Sequence, residues 1–301
     1  MCGVVGLLLR DRALQPRLGE LLVPMIEALD ERGPDSSGIA VYADRRVADA
    51  PPTLRLSLGA DEDVDWLALG CSLLEVAASG AELQRFGAGL VLDLPEASLD
   101  AVQQRLSMEW PQVRVLGTGW NLRVLKDTGR PADTCARYAI ASWEGYLAVA
   151  HTRMATESAV TVLHSHPFVP SRDLCVVHNG SFSNYATVRR HLLDDGVRFD
   201  SDNDSEVAAR YLASRLQFGD DLAEATRWVM KEMDGFFTLV ITSADEMSVV
   251  RDAFACKPAV VAETPAYVAV ASEYRALAEL PGITEATVFE PRPEEVYTWR
   301  R

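Results

Sequence analysis

The chain has 301 residues, 48% of them hydrophobic and 24% charged, a composition typical of a globular protein with a sizeable core. Its formal net charge is −15, so neither nucleic acid nor an anionic membrane surface, which both require a basic footprint, is expected as a partner. No apolar run approaches the roughly 18 residues of a membrane-spanning helix. The five cysteines are widely spaced and form no C-x-x-C pair, which predicts a reduced, cytoplasmic protein without a disulfide framework or zinc site.

The first predicted elements are a strand, a helix and a second strand. Residues 3–9 form a short continuous apolar run, which predicts a buried strand. Apolar residues recur at helical spacing from Leu18 to Leu29 and predict a helix. A turn-rich loop at residues 32–38 and a strand from Ile39 to Tyr42 complete this part of the chain.

Residues 53–135 are predicted to form a small α+β unit inserted into a domain that runs from residue 2 to residue 301. A strand is predicted from Leu90 to Leu94, and a helix from Ser98 to Trp110. Two further strands, at 113–116 and 122–125, are predicted to pair with each other. The unit contains no recognisable chemical motif.

Beyond residue 146, apolar strand runs alternate with two amphipathic helices. The predicted strands are Leu147 to Ala150, Cys175 to Val177, Phe236 to Thr242, Met247 to Arg251, Ala259 to Ala262 and Tyr267 to Ala271, and the predicted helices are Asp204 to Leu216 and Leu222 to Met233. Such interleaving predicts stacked sheets covered by helices, an α+β fold.

Cys2 directly follows the initiator methionine, so removal of Met1 would leave a thiol and a free α-amine on one residue. An α-amino group titrates near about 7.7–8.0, and its neutral form can accept the thiol proton directly or through a water molecule. One processed residue could therefore supply both a nucleophile and its base. The alternative interpretation is a small buried residue at the start of a strand.

Four short segments follow Cys2 in the chain. They are Arg32-Gly33-Pro34-Asp35-Ser36, His151-Thr152-Arg153-Met154-Ala155-Thr156, His178-Asn179-Gly180 and Ser201-Asp202-Asn203-Asp204-Ser205-Glu206. Taken singly, the segment His178-Asn179-Gly180 is typical of a turn, and the segment that begins at Ser201 is typical of a helix cap.

Together the segments predict a site for an amino acid that carries a side-chain amide. The amide of Asn179 and the backbone N–H of Gly180 could form an oxyanion hole for a tetrahedral intermediate. The planar fork of Arg153 suits a carboxylate, and Asp204 could receive an α-ammonium group. Combined with the Cys2 thiol, these groups fit glutamine.

In this order, the segments resemble the glutamine-hydrolysing domain of the class II, N-terminal-nucleophile glutamine amidotransferases. The likeness covers residues 2–42 and roughly 146–275. It implies a four-layer α-β-β-α sandwich with no cofactor or metal in this chain. The implied catalytic residues are Cys2, Asn179 and Gly180, and the implied substrate-binding residues are Arg153, Asp204, Thr156 and Arg32.

The layout looks like the stand-alone amidotransferase subunit of split, glutamate-synthase-like systems such as N-methylglutamate synthase of methylamine-using bacteria. This resemblance implies that ammonia from L-glutamine passes to partner chains, one resembling an FMN-binding synthase and one resembling the β-helix of glutamate synthase. Any FMN would then be bound by the partner. The chain departs from the family at Met154, where an aromatic residue is usual, and at Glu157-Ser158, and both departures bear on coupling to the ammonia acceptor. The alternative function is a non-catalytic scaffold subunit of such a complex.

Four histidines accompany these segments. His164 and His166 alternate as metal ligands can, but no cysteine or acidic residue completes a set nearby in the sequence, so no metal is expected. His151 and His178 are predicted to be buried, hydrogen-bonded framework residues.

Overall fold

The computed structural model describes residues 2–44, 53–87, 89–155 and 159–301. Its α-helices are α1 (Leu18–Glu27), α2 (Trp66–Val76), α3 (Leu99–Glu109), α4 (Pro131–Arg137), α5 (Tyr185–Asp194), α6 (Asp204–Gln217) and α7 (Leu222–Glu232). Its strands are β1 (Gly3–Leu9), β2 (Ser36–Tyr42), β3 (Thr53–Gly59), β4 (Glu82–Phe86), β5 (Gly89–Pro95), β6 (Arg114–Gly119), β7 (Leu122–Thr128), β8 (Leu147–Arg153), β9 (Phe168–Ser171), β10 (Leu174–Phe182), β11 (Gly235–Thr242), β12 (Glu246–Arg251), β13 (Val260–Glu263), β14 (Tyr267–Ala271), β15 (Thr287–Phe289) and β16 (Tyr297–Arg300).

Two antiparallel sheets form the centre of the fold. The seven-stranded sheet has the order β15-β13-β14-β1-β8-β2-β7, and the five-stranded sheet has the order β16-β12-β11-β10-β9. β1 pairs with β14 on one side and with β8 on the other. Every residue of β1 is buried, as its continuous apolar run predicts, because the sheet is covered on both faces.

Alternating side chains of β1 separate two hydrophobic cores. Val5, Leu7 and Leu9 pack in a core with α1, whereas Val4 and Leu8 pack in a core shared by the two sheets. Successive side chains of a strand point to opposite faces, so one strand contributes to both cores.

A third core lies on the outer face of the five-stranded sheet. Val176 and Leu239 of that sheet pack there with residues of α6 such as Val207 and Leu212, and α5 and α7 complete the cover. The layers therefore run helix, sheet, sheet, helix, and the predicted α-β-β-α sandwich is confirmed.

The segment predicted to be an insertion contains a third sheet, with the order β4-β5-β3-β6, whose apolar side chains pack with those of α2 and α3. β7 was expected to pair with β6, and this prediction is wrong. β7 instead forms seven register pairs with β2 and is the edge of the seven-stranded sheet. The four-stranded sheet thus ends at Gly119, because the apolar face of β7 is buried between the two large sheets rather than in the insertion.

In the part of the chain that the structure describes, no helix is both long and apolar enough to cross a membrane. The longest of these helices, α6, has 14 residues. All five cysteines are free thiols, and Cys135 and Cys175 are buried.

Candidate active site

The register of the seven-stranded sheet brings Cys2 and two of the four segments together at one end of its central strands. Cys2 lies immediately before β1, and Gly3 pairs with Thr152 near the end of β8. On the other side of β8, Arg153 pairs with Ser36 at the start of β2. The loop that precedes β2, which carries Arg32, therefore lies beside both strand ends.

The backbone carbonyl of Cys2 is held by two side chains from different layers. Arg32 donates from Nε at 3.0 Å, and Asn179, in β10 of the five-stranded sheet, donates from Nδ2 at 3.2 Å. The Cys2 thiol donates to the carbonyl oxygen of Met154, 3.8 Å from Sγ. Asn179 is only 3% exposed, so the contact between the sheets fixes Cys2 in place.

Arg32 is held in turn by Glu273, a residue that the sequence analysis missed. Arg32 Nη1 lies 2.5 Å from Glu273 Oε1, and Arg275 Nε lies 2.6 Å from Glu273 Oε2. The hydrogen bond from Arg32 lowers the pKa of the Glu273 carboxyl from its usual value. Glu273 follows β14 and is 241 residues away from Arg32, so no local motif could have indicated it.

Arg153, the predicted carboxylate ligand, is buried at the end of β8 with 5% of its surface exposed. Its Nη1 donates to the carbonyl of Ala159 at 2.9 Å. Burial lowers the pKa of its guanidinium, and the neighbouring Cys2 and Asp35 oppose this shift. Asp35 also accepts the backbone N–H of Ala155 at 2.8 Å, which ties the segment after β8 to the loop before β2. Thr156, the predicted pocket residue, lies outside the described residues.

Gly180 follows Asn179 in β10 and adopts a φ of +149° that other residues rarely take. A Cβ at this position would lie 2.0 Å from the carbonyl oxygen of Phe236 and 2.7 Å from the Cα of Phe237. Only glycine fits here. The predicted oxyanion-hole pair therefore lies where the backbones of β10 and β11 leave no room for a Cβ atom.

Asp204 is the first residue of α6, and its carboxylate is anchored to β10. Oδ2 accepts the backbone N–H of Phe182 at 2.8 Å, and Oδ1 accepts the hydroxyl of Ser205 at 3.1 Å. Its side chain is 22% exposed, so part of the carboxylate remains accessible. The side chain of Asn203 caps the helix by accepting the N–H of Ser205.

His151 and His178 are buried and hydrogen-bonded, as predicted. His151 Nε2 lies 3.1 Å from the carbonyl oxygen of His178, and His178 Nδ1 lies 2.7 Å from the hydroxyl of Ser205. The ring of His166 lies against that of His151, with centroids 4.1 Å apart and the planes tilted by 34°. Burial lowers the pKa of His151 to about 3 and that of His178 to about 4, and it moves the pKa of His166 well below its usual value. These imidazoles are therefore neutral at physiological pH.

His164 is paired outside this cluster, with Nε2 2.8 Å from Asp202 and Nδ1 2.7 Å from Thr161. Among the described residues, no group of three histidine, cysteine or acidic side chains is arranged to hold a metal ion.

A cysteine at the start of the first central strand of an α-β-β-α sandwich, with its carbonyl held by an arginine and an asparagine, defines a class of protein, the N-terminal-nucleophile hydrolases. Comparison with known proteins narrows this class. A family model described as a glutamine amidotransferase domain matches residues 151–279. The glutamine amidotransferase-like protein GlxB of Rhizobium meliloti (strain 1021) is 43% identical over 299 residues, covering 99% of this chain and 98% of that protein.

A relative from Methanothermobacter thermautotrophicus is 30% identical over 320 residues, and the match covers 99% of each chain. The solved structure of glutamine phosphoribosylpyrophosphate amidotransferase from B. subtilis shares the fold, with a TM-score of 0.62 at 16% identity. That match covers 99% of this chain and 49% of the B. subtilis chain. The protein belongs to the class II glutamine amidotransferase family.

Proposed function

We propose that this chain hydrolyses L-glutamine to glutamate and ammonia, with Cys2 as the nucleophile. The convergence of Arg32 and Asn179 on the Cys2 carbonyl carries the proposal, because it fixes the backbone of the residue that must attack. An amide nitrogen has two N–H groups. Asn179 can therefore donate one to Cys2 and the other to an oxyanion.

In the proposed mechanism, removal of Met1 frees the α-amine of Cys2, which takes the thiol proton. The thiolate attacks the side-chain amide carbon of glutamine, and the resulting oxyanion accepts hydrogen bonds from Asn179 and the Gly180 N–H. Collapse of this intermediate breaks the carbon–nitrogen bond, and the nitrogen leaves as ammonia with the proton from the α-amine. Water then hydrolyses the γ-glutamyl thioester and restores the Cys2 thiol.

Four residues are proposed to hold the substrate. The guanidinium of Arg153 would bind the α-carboxylate, and its burial strengthens such a pairing because the local dielectric is low. The partly exposed carboxylate of Asp204 would bind the α-ammonium group. Thr156 would line the substrate pocket. Arg32 would contribute to substrate binding indirectly, because its hydrogen bond to the Cys2 carbonyl holds the nucleophile next to the substrate.

The ammonia acceptor is proposed to be a separate chain, in a complex like N-methylglutamate synthase. This chain would contact an FMN-binding synthase-like subunit and a β-helix-like subunit, and FMN would reside in the partner. Support comes from the resemblance of the motif layout to stand-alone amidotransferase subunits. Purification from the native host with identification of associated chains tests it. An FMN-containing partner is expected, and isolation without any synthase-like chain would contradict this part.

The glutaminase activity is tested with purified protein whose N-terminus has been determined by mass spectrometry. Cys2→Ala should reduce release of ammonia from L-glutamine to background, whereas Cys256→Ala, at an exposed cysteine outside the site, should retain it. Hydrolysis that survives Cys2→Ala contradicts the mechanism. A protein that lacks Met1, binds its partner and still hydrolyses no glutamine would instead be a scaffold subunit.

A further inference from the structure

The Asp204 carboxylate is the end of a hydrogen-bond chain that begins inside the core. The hydroxyl of Ser205 has one hydrogen, and it points to Asp204 Oδ1 at 3.1 Å. At the 2.7 Å contact between Ser205 and His178, the hydroxyl must therefore accept a hydrogen from His178 Nδ1. The chain runs from His178 through Ser205 to Asp204.

His178 has one ring hydrogen to donate to Ser205. The residue is 2% exposed, and its burial lowers its pKa to about 4, so the ring is neutral and carries a single N–H. The contact with Ser205 places that hydrogen on Nδ1. Nε2 then carries no hydrogen, and it has no hydrogen-bond partner among the described residues.

The ring of His178 cannot easily turn away from Ser205. It stacks on Phe182 with ring centroids 4.3 Å apart, and the backbone N–H of Phe182 is the second donor to Asp204. The carbonyl of His178 accepts a hydrogen bond from His151. Both bonds to the Asp204 carboxylate thus come from one rigid unit of β10 and α6, the unit that also carries Asn179.

We propose that His178 and Ser205 are positioning residues that orient the Asp204 carboxylate towards the α-ammonium group of the substrate. The inference rests on the proposed function, since it assigns to Asp204 the ammonium group of glutamine. Each carboxylate oxygen uses one acceptor site on the protein and keeps another for the ligand. Without the Ser205 hydroxyl, Oδ1 would lose its anchor and the carboxylate could rotate about its Cβ–Cγ bond.

The test compares two substrates that differ only in the α-ammonium group, L-glutamine and 4-carbamoylbutanoate. A hydrogen bond to a charged group typically changes an equilibrium by tenfold or more. In Ser205→Ala, the ratio of kcat/KM for glutamine to kcat/KM for 4-carbamoylbutanoate should fall about tenfold, mainly through KM. In an Asp204→Asn background, Ser205→Ala should change that ratio no further. An equal loss on both substrates would overturn the proposal, because it would indicate general loosening of the site.

Variants of His178 provide an independent test. His178→Asn keeps an N–H donor on the atom attached to Cγ and should retain most of the wild-type ratio, whereas His178→Ala should lower it as Ser205→Ala does. His166→Asn is the matched control, because His166 is also buried but its ring nitrogens have no hydrogen-bond partner among the described residues. If the ratio falls as far in His166→Asn as in His178→Ala, the proposed hydrogen-bond chain from His178 to Asp204 is refuted. If the wild-type protein hydrolyses no glutamine, the proposed function fails. If Ser205→Ala is active and its ratio of kcat/KM values equals that of wild type, only the positioning role of His178 and Ser205 is refuted.

Discussion

Replacement of Gly180 by alanine should damage stability and activity together. The added methyl group would lie 2.0 Å from the carbonyl oxygen of Phe236, whereas ordinary contacts begin at 3.4 Å, so β10 and β11 would have to separate by more than 1 Å. The two strands are paired along eight residues, so this movement would break hydrogen bonds on both sides of the site. It would also displace the N–H of Gly180, one of the two proposed oxyanion donors.

The magnitude follows from two separate costs. Forcing a substituent into a packed site costs about 1–3 kcal/mol. Holding a non-glycine residue at the φ of +149° costs roughly a further 1–3 kcal/mol. For a chain of this size, about 2 °C in Tm corresponds to each kcal/mol, so Tm should fall by roughly 4–12 °C. Loss of one oxyanion donor should lower kcat by about 10²–10³-fold.

Thermal unfolding and glutaminase assays on Gly180→Ala, with Gly196→Ala as control, would measure both effects. Gly196 also has a positive φ, +85°, but a Cβ there would meet nothing within 4 Å, so it reports the backbone cost alone. Equal Tm values for the two variants would refute the proposed clash with Phe236. Normal kcat in Gly180→Ala would refute the assignment of its N–H to the oxyanion hole.

Three further substitutions test the surroundings of the site. His166→Asn should weaken the pH dependence of stability. Because the pKa of His166 is lowered by folding, the unfolded chain binds a proton that the folded chain does not. The wild-type protein therefore loses stability as pH falls below about 6.5. Urea denaturation at pH 6 and pH 5 should show about 1 kcal/mol less loss in the variant. Arg32 lowers the pKa of Glu273, so the wild-type protein loses stability as pH falls below the usual carboxyl pKa of 4.5. Glu273→Gln should abolish this loss, which urea midpoints at pH 6 and pH 4 measure. Gly33→Ala should lower Tm by several degrees more than Gly6→Ala, because its Cβ would lie 2.3 Å from backbone of β8, whereas that of Gly6 would meet a flexible methionine sulfur at 2.9 Å.

Each of these expectations has an outcome that contradicts it. Equal pH slopes in wild type and His166→Asn would mean that this histidine is not held neutral. Glu279→Gln, at an exposed carboxylate, is the control for Glu273→Gln. If both variants lose the same stability between pH 6 and pH 4, the bond between Glu273 and Arg32 does not contribute as expected. Equal Tm values for the two glycine variants would show that the loop before β2 can move away from β8.

Much of the fold could be predicted because its strands are short and strongly apolar. All six strands predicted beyond residue 146 are present, as are the helices α6 and α7. In this part of the chain, α5, whose apolar spacing is diluted by arginines, and the short strands β9, β15 and β16 could not be predicted. β7 was assigned to the wrong sheet, because alternation of side chains does not identify the partner of a strand.

The candidate site divides in the same way. Cys2, Arg153, Asn179 and Asp204 could be predicted as a set because thiol, guanidinium, amide and carboxylate groups together fit an amino acid with a side-chain amide. The structure brings Asn179 to the Cys2 carbonyl, and the catalytic roles of the set stay a prediction. Glu273 could not be identified in this way, because an isolated glutamate far along the chain carries no signal of its own. The roles of His178 and Ser205 were equally hidden, since their significance depends on the position of Asp204.

The amino-acid sequence alone predicts the chemical groups of the candidate site, a thiol beside a potential free α-amine together with groups that fit an amide-bearing amino acid. The tertiary structure decided how those groups are held. It places Arg32, from the loop before β2, and Asn179, from β10, on the same Cys2 carbonyl. It also anchors Asp204 to β10, directly through the N–H of Phe182 and indirectly through Ser205 and His178. Hydrogen-bond geometry requires atoms within about 3 Å of each other. For residues separated by tens to hundreds of positions, only the packing of the two sheets supplies that proximity.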